Sequence, residues 1–200
     1  GLTGISSSRA GVATITQTID LQPGWNAVYV EIEPQNNDIE TIFSGVPVAS
    51  VWRWIPEKLG SDFLVNPAEG LMNLEGWFGY FPEPKPEAFL SNLYTLSANT
   101  AYLIKLEGSV AKSISLTGKP VYVKKKWRTN GFTLTGFPLV AGQEPSFGDF
   151  FANSTAHQGQ PVYKLNPQGV WEAVQEPYLE RMKSGEAYWF YTHGTSRYQG

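Results

Sequence analysis

Apolar residues along this chain come in short runs, and the runs are rich in branched and aromatic side chains. Gly24-Trp25-Asn26-Ala27-Val28-Tyr29-Val30, Val51-Trp52-Arg53-Trp54, Asn99-Thr100-Ala101-Tyr102-Leu103-Ile104 and Val162-Tyr163-Lys164-Leu165 are examples, each with Gly, Pro or small polar residues nearby. That combination predicts strands. Residues 38–44 and 146–152 differ: a polar or acidic residue precedes bulky apolar ones three or four apart, which predicts one or two helical turns. Ser113-Ile114-Ser115-Leu116 alternates, Thr117-Gly118-Lys119-Pro120 offers a turn, and Val121-Tyr122-Val123 returns. Residues 112–123 therefore predict a hairpin.

The runs repeat in order. Gly24-Trp25 is answered by Gly131-Phe132, and Asp38-Ile39-Glu40-Thr41-Ile42-Phe43 by Phe147-Gly148-Asp149-Phe150-Phe151. Val51-Trp52-Arg53-Trp54 is answered by Val162-Tyr163-Lys164-Leu165, Gly76-Trp77 by Val170-Trp171, and Ala101-Tyr102 by Ala187-Tyr188. Ordered matches of this kind are the mark of an internal duplication. The first copy carries extra residues near 57–75 and 83–92, rich in Gly, Pro and Glu as surface loops are. The expected fold is all-β and mainly antiparallel, with a few short helical turns. Two related halves would form a pseudo-twofold sandwich or barrel. The expected division is an N-terminal extension at 1–19, copy one at 20–111, a linking hairpin and basic join at 112–127, and copy two at 128–200. Intimate packing of the halves is expected, because a copy of this size without disulfides is marginal alone.

Composition narrows the class. Of 200 residues, 42% are hydrophobic, with 7 Trp, 10 Tyr and 11 Phe, which is enough for a sizeable core. Only 16% are charged, which excludes a charge-extended disordered chain. A formal charge of −3 gives no electrostatic case for nucleic acid. The absence of Cys removes disulfides, thiolate metal sites and a Cys nucleophile. No apolar run reaches the length of a membrane helix.

Leu21-Gln22-Pro23-Gly24-Trp25-Asn26, the later aromatic strand and Gly185-Glu186-Ala187-Tyr188-Trp189 together resemble the "GWN"-type β-repeat modules of large secreted or surface proteins of bacteria. The likeness spans most of residues 20–200 and describes a framework. It implies a part of a long exported chain, secreted or at the cell surface, and brings no reaction or catalytic residue. Phe132-Thr133 stand where the pattern has Trp25-Asn26, which speaks against a functional role for the Asn side chain.

Candidate chemistry is sparse. Trp52 and Trp54, two apart on a strand, share a face; their matches are Tyr163 and Leu165, and Leu is no stacking platform, so a core face is expected. Trp77 and Trp171 match each other and are read as framework, whereas Arg53 and Lys164 should face solvent. Tyr80 and Phe81 border an insertion that the second copy lacks, so a ligand platform is sought there first. Asp20, Asp38, Asp62 and Asp149 have no calcium-loop spacing; Asp38 and Asp149 are read as helix caps. His157 and His193 are far apart and lack zinc-ligand spacing. No G-x-S-x-G, G-x-G-x-x-G or Walker sequence occurs. Lys124-Lys125-Lys126-Trp127-Arg128 is read as a solvated join guarding a strand edge. No catalytic residue, metal or cofactor is assigned. The leading class is a non-enzymatic structural, adhesion or spacer module, with a glycan or another surface protein as partner. The alternatives are a carbohydrate-binding module and a glycan-active hydrolase. No signal peptide stands in residues 1–18. Gly200 matches Gly118, where a returning strand would begin, so a longer natural chain is expected.

Overall fold

The computed structural model describes residues 11, 13–56 and 64–200. Residues 1–10 and 12, and residues 57–63 with Asp62, lie outside them. The strands are β1 (Ile15–Leu21), β2 (Gly24–Val30), β3 (Ile32–Pro34), β4 (Val48–Trp54), β5 (Trp77–Tyr80), β6 (Thr100–Leu106), β7 (Lys112–Pro120), β8 (Gly131–Thr135), β9 (Val162–Leu165), β10 (Trp171–Ala173) and β11 (Tyr188–Thr192). Two helical turns, α1 (Ile39–Ile42) and α2 (Phe147–Phe150), follow β3 and β8. Three sheets result, ordered β2-β6-β4-β5, β8-β11-β9-β10 and β1-β7-β3, and every pairing is antiparallel.

The two four-stranded sheets have one topology and one register. Gly24 faces Leu106 as Gly131 faces Thr192, and Val28 faces Tyr102 as Thr135 faces Tyr188. Val51 faces Ile104 as Val162 faces Phe190, and Trp54 faces Trp77 as Leu165 faces Trp171. The helical turns dock alike. Ile39 N–H donates to Tyr94 O at 3.0 Å and Phe147 N–H to Glu180 O at 3.1 Å. Each half also ties a buried tyrosine hydroxyl to the loop before its last strand: Ser97 N–H donates to Tyr102 and Lys183 N–H to Tyr188, both at 2.8 Å.

The halves form a sandwich, and no barrel closes. Trp25, Ala27, Trp52, Trp54, Trp77 and Leu103 of one sheet share a core with their counterparts Phe132, Leu134, Tyr163, Leu165, Trp171 and Trp189 of the other. The outer face of the first sheet packs on α1 and the three-stranded sheet through Ile39, Phe43, Ile114 and Leu116. The outer face of the second packs on α2 through Phe147 and Phe151, joined by Trp127 and Tyr198. Backbone bonds also stitch the seam. Trp25 and Tyr29 N–H donate to Pro167 and Gly185 carbonyls at 2.9 Å, and Ala187 N–H donates to Ala27 O at 3.1 Å. Gly136, the counterpart of Tyr29, admits that ring, since a Cβ there would lie 2.6 Å from the Tyr29 side chain.

Residues 15–19, at the end of the expected N-terminal extension, are strand, paired from Ile15↔Gly118 onward. Two expectations are corrected. Residues 112–120 form one unbroken strand between β1 and β3, so the hairpin expected at 112–123 does not form. Thr117-Gly118 continues the alternation because Gly118 fits tightly against Glu33 O, where a side chain would clash. Finally, the cap of α2 is Ser146, whose Oγ accepts from Asp149 N–H at 3.1 Å; Asp149 lies in the first turn. Asp38 does cap α1, accepting from Thr41 N–H at 2.9 Å.

Trp77→Ala and Trp171→Ala should each lower unfolding free energy by about 3–5 kcal/mol, because both rings are buried between the sheets. Urea denaturation measures this, and a near-neutral result at either position would mean that the ring is exposed.

Candidate functional site

The expected platform residues sit at the rim of the first sheet. Tyr80 ends β5 and is only 6% exposed, with its ring in the core under α1. Phe81 is half-buried and meets Trp52 edge-on at 5.4 Å. Neither ring lies open, but both back a cleft of about 410 Å³ whose outer walls come from the insertion at 83–92 and from α1. Asp38, Glu40 and Glu83 bring carboxylates to it, and Phe89 and Tyr94 bring exposed rings, 83% and 64% accessible.

The insertion is held in place. Phe81 N–H donates to Ser91 Oγ at 2.9 Å, and Asn92 exchanges hydrogen bonds with the Gly79 backbone at 2.8 and 2.9 Å. Pro82, Pro84 and Pro86 restrict its backbone, a 3-10 turn spans Pro86–Leu90, and Lys85 pairs with Glu107. The Tyr94 hydroxyl donates to Ser91 O at 2.9 Å, which fixes its ring. Nearby carboxylates and burial push the Tyr80 phenol up, burial foremost. Hydrogen bonds from Thr41 hold the Asp38 carboxyl below the usual range. Matched positions of the second half carry Val174 and Gln175 for Tyr80 and Phe81, and Glu180, ion-paired to Lys164, for Tyr94. The Tyr80, Phe81 and Tyr94 rings therefore belong to the first half alone, while the matching place beside α2 is a cleft of about 650 Å³ whose exposed ring is Tyr178.

The other candidates take structural roles. Trp52 is buried and Trp54 half-buried, both facing the inter-sheet core, and Trp52 Nε1 donates to Ser50 Oγ at 2.9 Å. Arg53 and Lys164 are half-buried. His157 is buried against Trp127, its ring 4.2 Å away, with Tyr191 O and Ser196 Oγ on its two nitrogens. Burial lowers its pKa. His193 is exposed. Among the described residues no group of three or more His, Asp and Glu gathers as a metal site would need.

The basic run is not a solvated join. Lys125 is drawn into the seam between the halves, where Nζ donates to Thr135 Oγ1 and Gly136 O at 2.8 Å and lies over the Tyr29 and Phe137 rings. Burial pulls its pKa down to about 8. In an extended segment residues two apart share a face, so Trp127, which must find a core, takes Lys125 inward with it. Lys124 and Lys126 remain exposed. Glu31 lies on the same seam; burial raises its pKa, and its Oε1 is buried without a hydrogen-bond partner. The extended-segment rule was the signal for Lys125. For Phe89 and Tyr94 it was their place in and beside the insertion.

Compared with known proteins, the chain matches no family model, no curated protein and no solved structure. No helix among the described residues is long and apolar enough to cross a membrane.

Lys125 makes stability depend on pH in a defined direction. Its folded pKa of about 8 lies below the ordinary 10.5, so between these values the unfolded chain binds more protons. Stability relative to Lys125→Met should then rise as pH goes from 7 to 9.5. Urea midpoints across that range check this; a constant difference would mean that the oxygen and ring partners hold the ammonium form.

Proposed function

We propose that the chain is a non-enzymatic structural or adhesion module of a larger exported bacterial protein. Support comes from the way its aromatic residues divide. The Trp residues between the sheets build a double sandwich, and the exposed rings of Phe89 and Tyr94 stand beside one cleft on a clamped loop. Such a body suits display of a surface more than movement of a substrate, and the "GWN"-type resemblance points the same way.

A second reading, carbohydrate binding, is favoured by the cleft itself. Ring faces can stack on sugar C–H groups, while carboxylates such as Glu40 and Glu83 accept from hydroxyls. The residues that would serve are Phe89 and Tyr94, with Phe81 at the back and Tyr80 shaping the floor.

The purified chain on a glycan array tests both readings. Saturable retention, lost in Phe89→Ala and Tyr94→Ala while the melting temperature holds, establishes the carbohydrate-binding reading. Exposed substitutions of this kind should alter stability by only about 0.5 kcal/mol. Retention unchanged by these variants moves the ligand surface elsewhere. Turnover of any bound glycan would overturn the non-enzymatic proposal.

A further inference from the structure

In the first half, β7 lies between β1 and β3 and turns Ile114 and Leu116 inward beside Ile19, Leu21 and Ile32. Both flanks of that arrangement have counterparts in the second half. Val121–Trp127 precede β8 as β1 precedes β2. Trp127 packs with Phe151 and Phe190, counterparts of Phe43 and Ile104, which share a core with Leu21. Pro138 and Leu139 follow β8 as Glu31 and Ile32 follow β2.

Among the described residues, Tyr198, Gln199 and Gly200 enter the space between these flanks, Gly200 lying against Phe137 and Phe150. The Gln199 side chain pairs with the Lys125 backbone as a neighbouring strand would, accepting from its N–H at 2.7 Å and donating to its carbonyl at 3.2 Å. Trp127 Nε1 donates to Tyr198 O at 2.7 Å. Beyond this point Val121–Lys124 make no backbone–backbone hydrogen bond among the described residues, although Asn99 Nδ2 donates to Val121 O. Tyr122 is 83% exposed, and Val121 and Val123 are exposed as well. A cleft of about 410 Å³ lies beside them, lined by Val121, Val123 and Lys125, by Phe137, Pro138 and Gln199, and by Ile15, Tyr29 and Glu31 of the first half.

We propose that this cleft, open among the described residues, is a strand position, and that it takes an extended polypeptide segment by antiparallel strand addition to Val121–Lys124. The chemistry of the occupant follows from β7, which fills the matching place in the first half. Branched apolar side chains face inward at alternate positions, polar ones face out, and a glycine comes where the opposite backbone is close. Gly118 has that last role, since a Cβ would lie 1.9 Å from Glu33 O. Backbone hydrogen bonds to an open edge supply affinity, and the alternating side chains supply selection.

A synthetic peptide reproducing β7, Lys-Ser-Ile-Ser-Leu-Thr-Gly-Lys-Pro, is titrated against the whole chain by calorimetry, with hydrogen exchange read by mass spectrometry. A scrambled peptide is the control. Saturable binding with amide exchange at 121–124 slowed about tenfold, by the β7 peptide alone, is the expected result. Val123→Pro and Lys124→Pro each remove one donor, and adjacent N–H groups point to opposite sides. One of the two should weaken binding about tenfold with the melting temperature unchanged. Equal effects of the scrambled peptide, or no protection at 121–124, would overturn the proposal. Altered exchange confined to β1 and β3 would show exchange with β7 and overturn it too. Self-association protecting 121–124 without peptide would assign the edge to a second copy instead.

Discussion

Trp189 stands where the two sheets meet, and its surroundings define the molecule. Its ring meets Trp54 at 4.8 Å, Trp171 at 6.0 Å and Trp77 at 6.5 Å, all at steep interplanar angles. Two of these partners come from the first half and one from the second. Edge-to-face pairs of this kind contribute about 0.5–1.5 kcal/mol each beyond the area they bury. Neither sheet can leave such a face in water, so each half completes the other. With no disulfide available, the tryptophan layer and the seam hydrogen bonds hold the sandwich together.

That shared constraint separates positions that must match from positions that can differ. Matched residues lie on the inner faces, on the helical turns and at the tyrosine hydroxyls that tie Ser97 and Lys183. Differences gather where the framework is indifferent. Tyr29 faces Gly136 across the seam, a large-for-small exchange that lets two related edges approach closely. Tyr80, Phe81 and Tyr94 are replaced by Val174, Gln175 and Glu180. The sheet over the first half has no complete counterpart among the described residues over the second. The strand-shaped cleft therefore arises where the two halves part company, whereas the clefts beside α1 and α2 share a place and differ in their lining.

The duplication was legible because it rests on strand periodicity and ordered aromatic positions, and the pairing of Trp54 with Trp77 matches that of Leu165 with Trp171. The helix cap at Asp38 was legible from side-chain chemistry alone. The β1-β7-β3 sheet was not. Gly118 reads locally as a turn residue, and only the distant Glu33 backbone makes it a strand residue. Lys125 was misread for the same reason: its burial depends on Tyr29 and Phe137, far away in sequence, while its neighbours advertise solvent. The cleft was half legible. Tyr80 and Phe81 drew attention to the insertion beside them, but the exposed rings at that cleft are Phe89 and Tyr94, because Tyr80 ends a strand whose inward face is core.

The central claim is that the halves stand or fall together on the layer around Trp189. Native-state hydrogen exchange of Trp189→Ala, read separately in β4 of the first half and β9 of the second, tests it most directly. The account predicts that protection falls by the same free energy in both strands, since the ring lies in a core common to them. A loss confined to β9, with β4 as protected as before, would contradict it and show two halves that fold on their own.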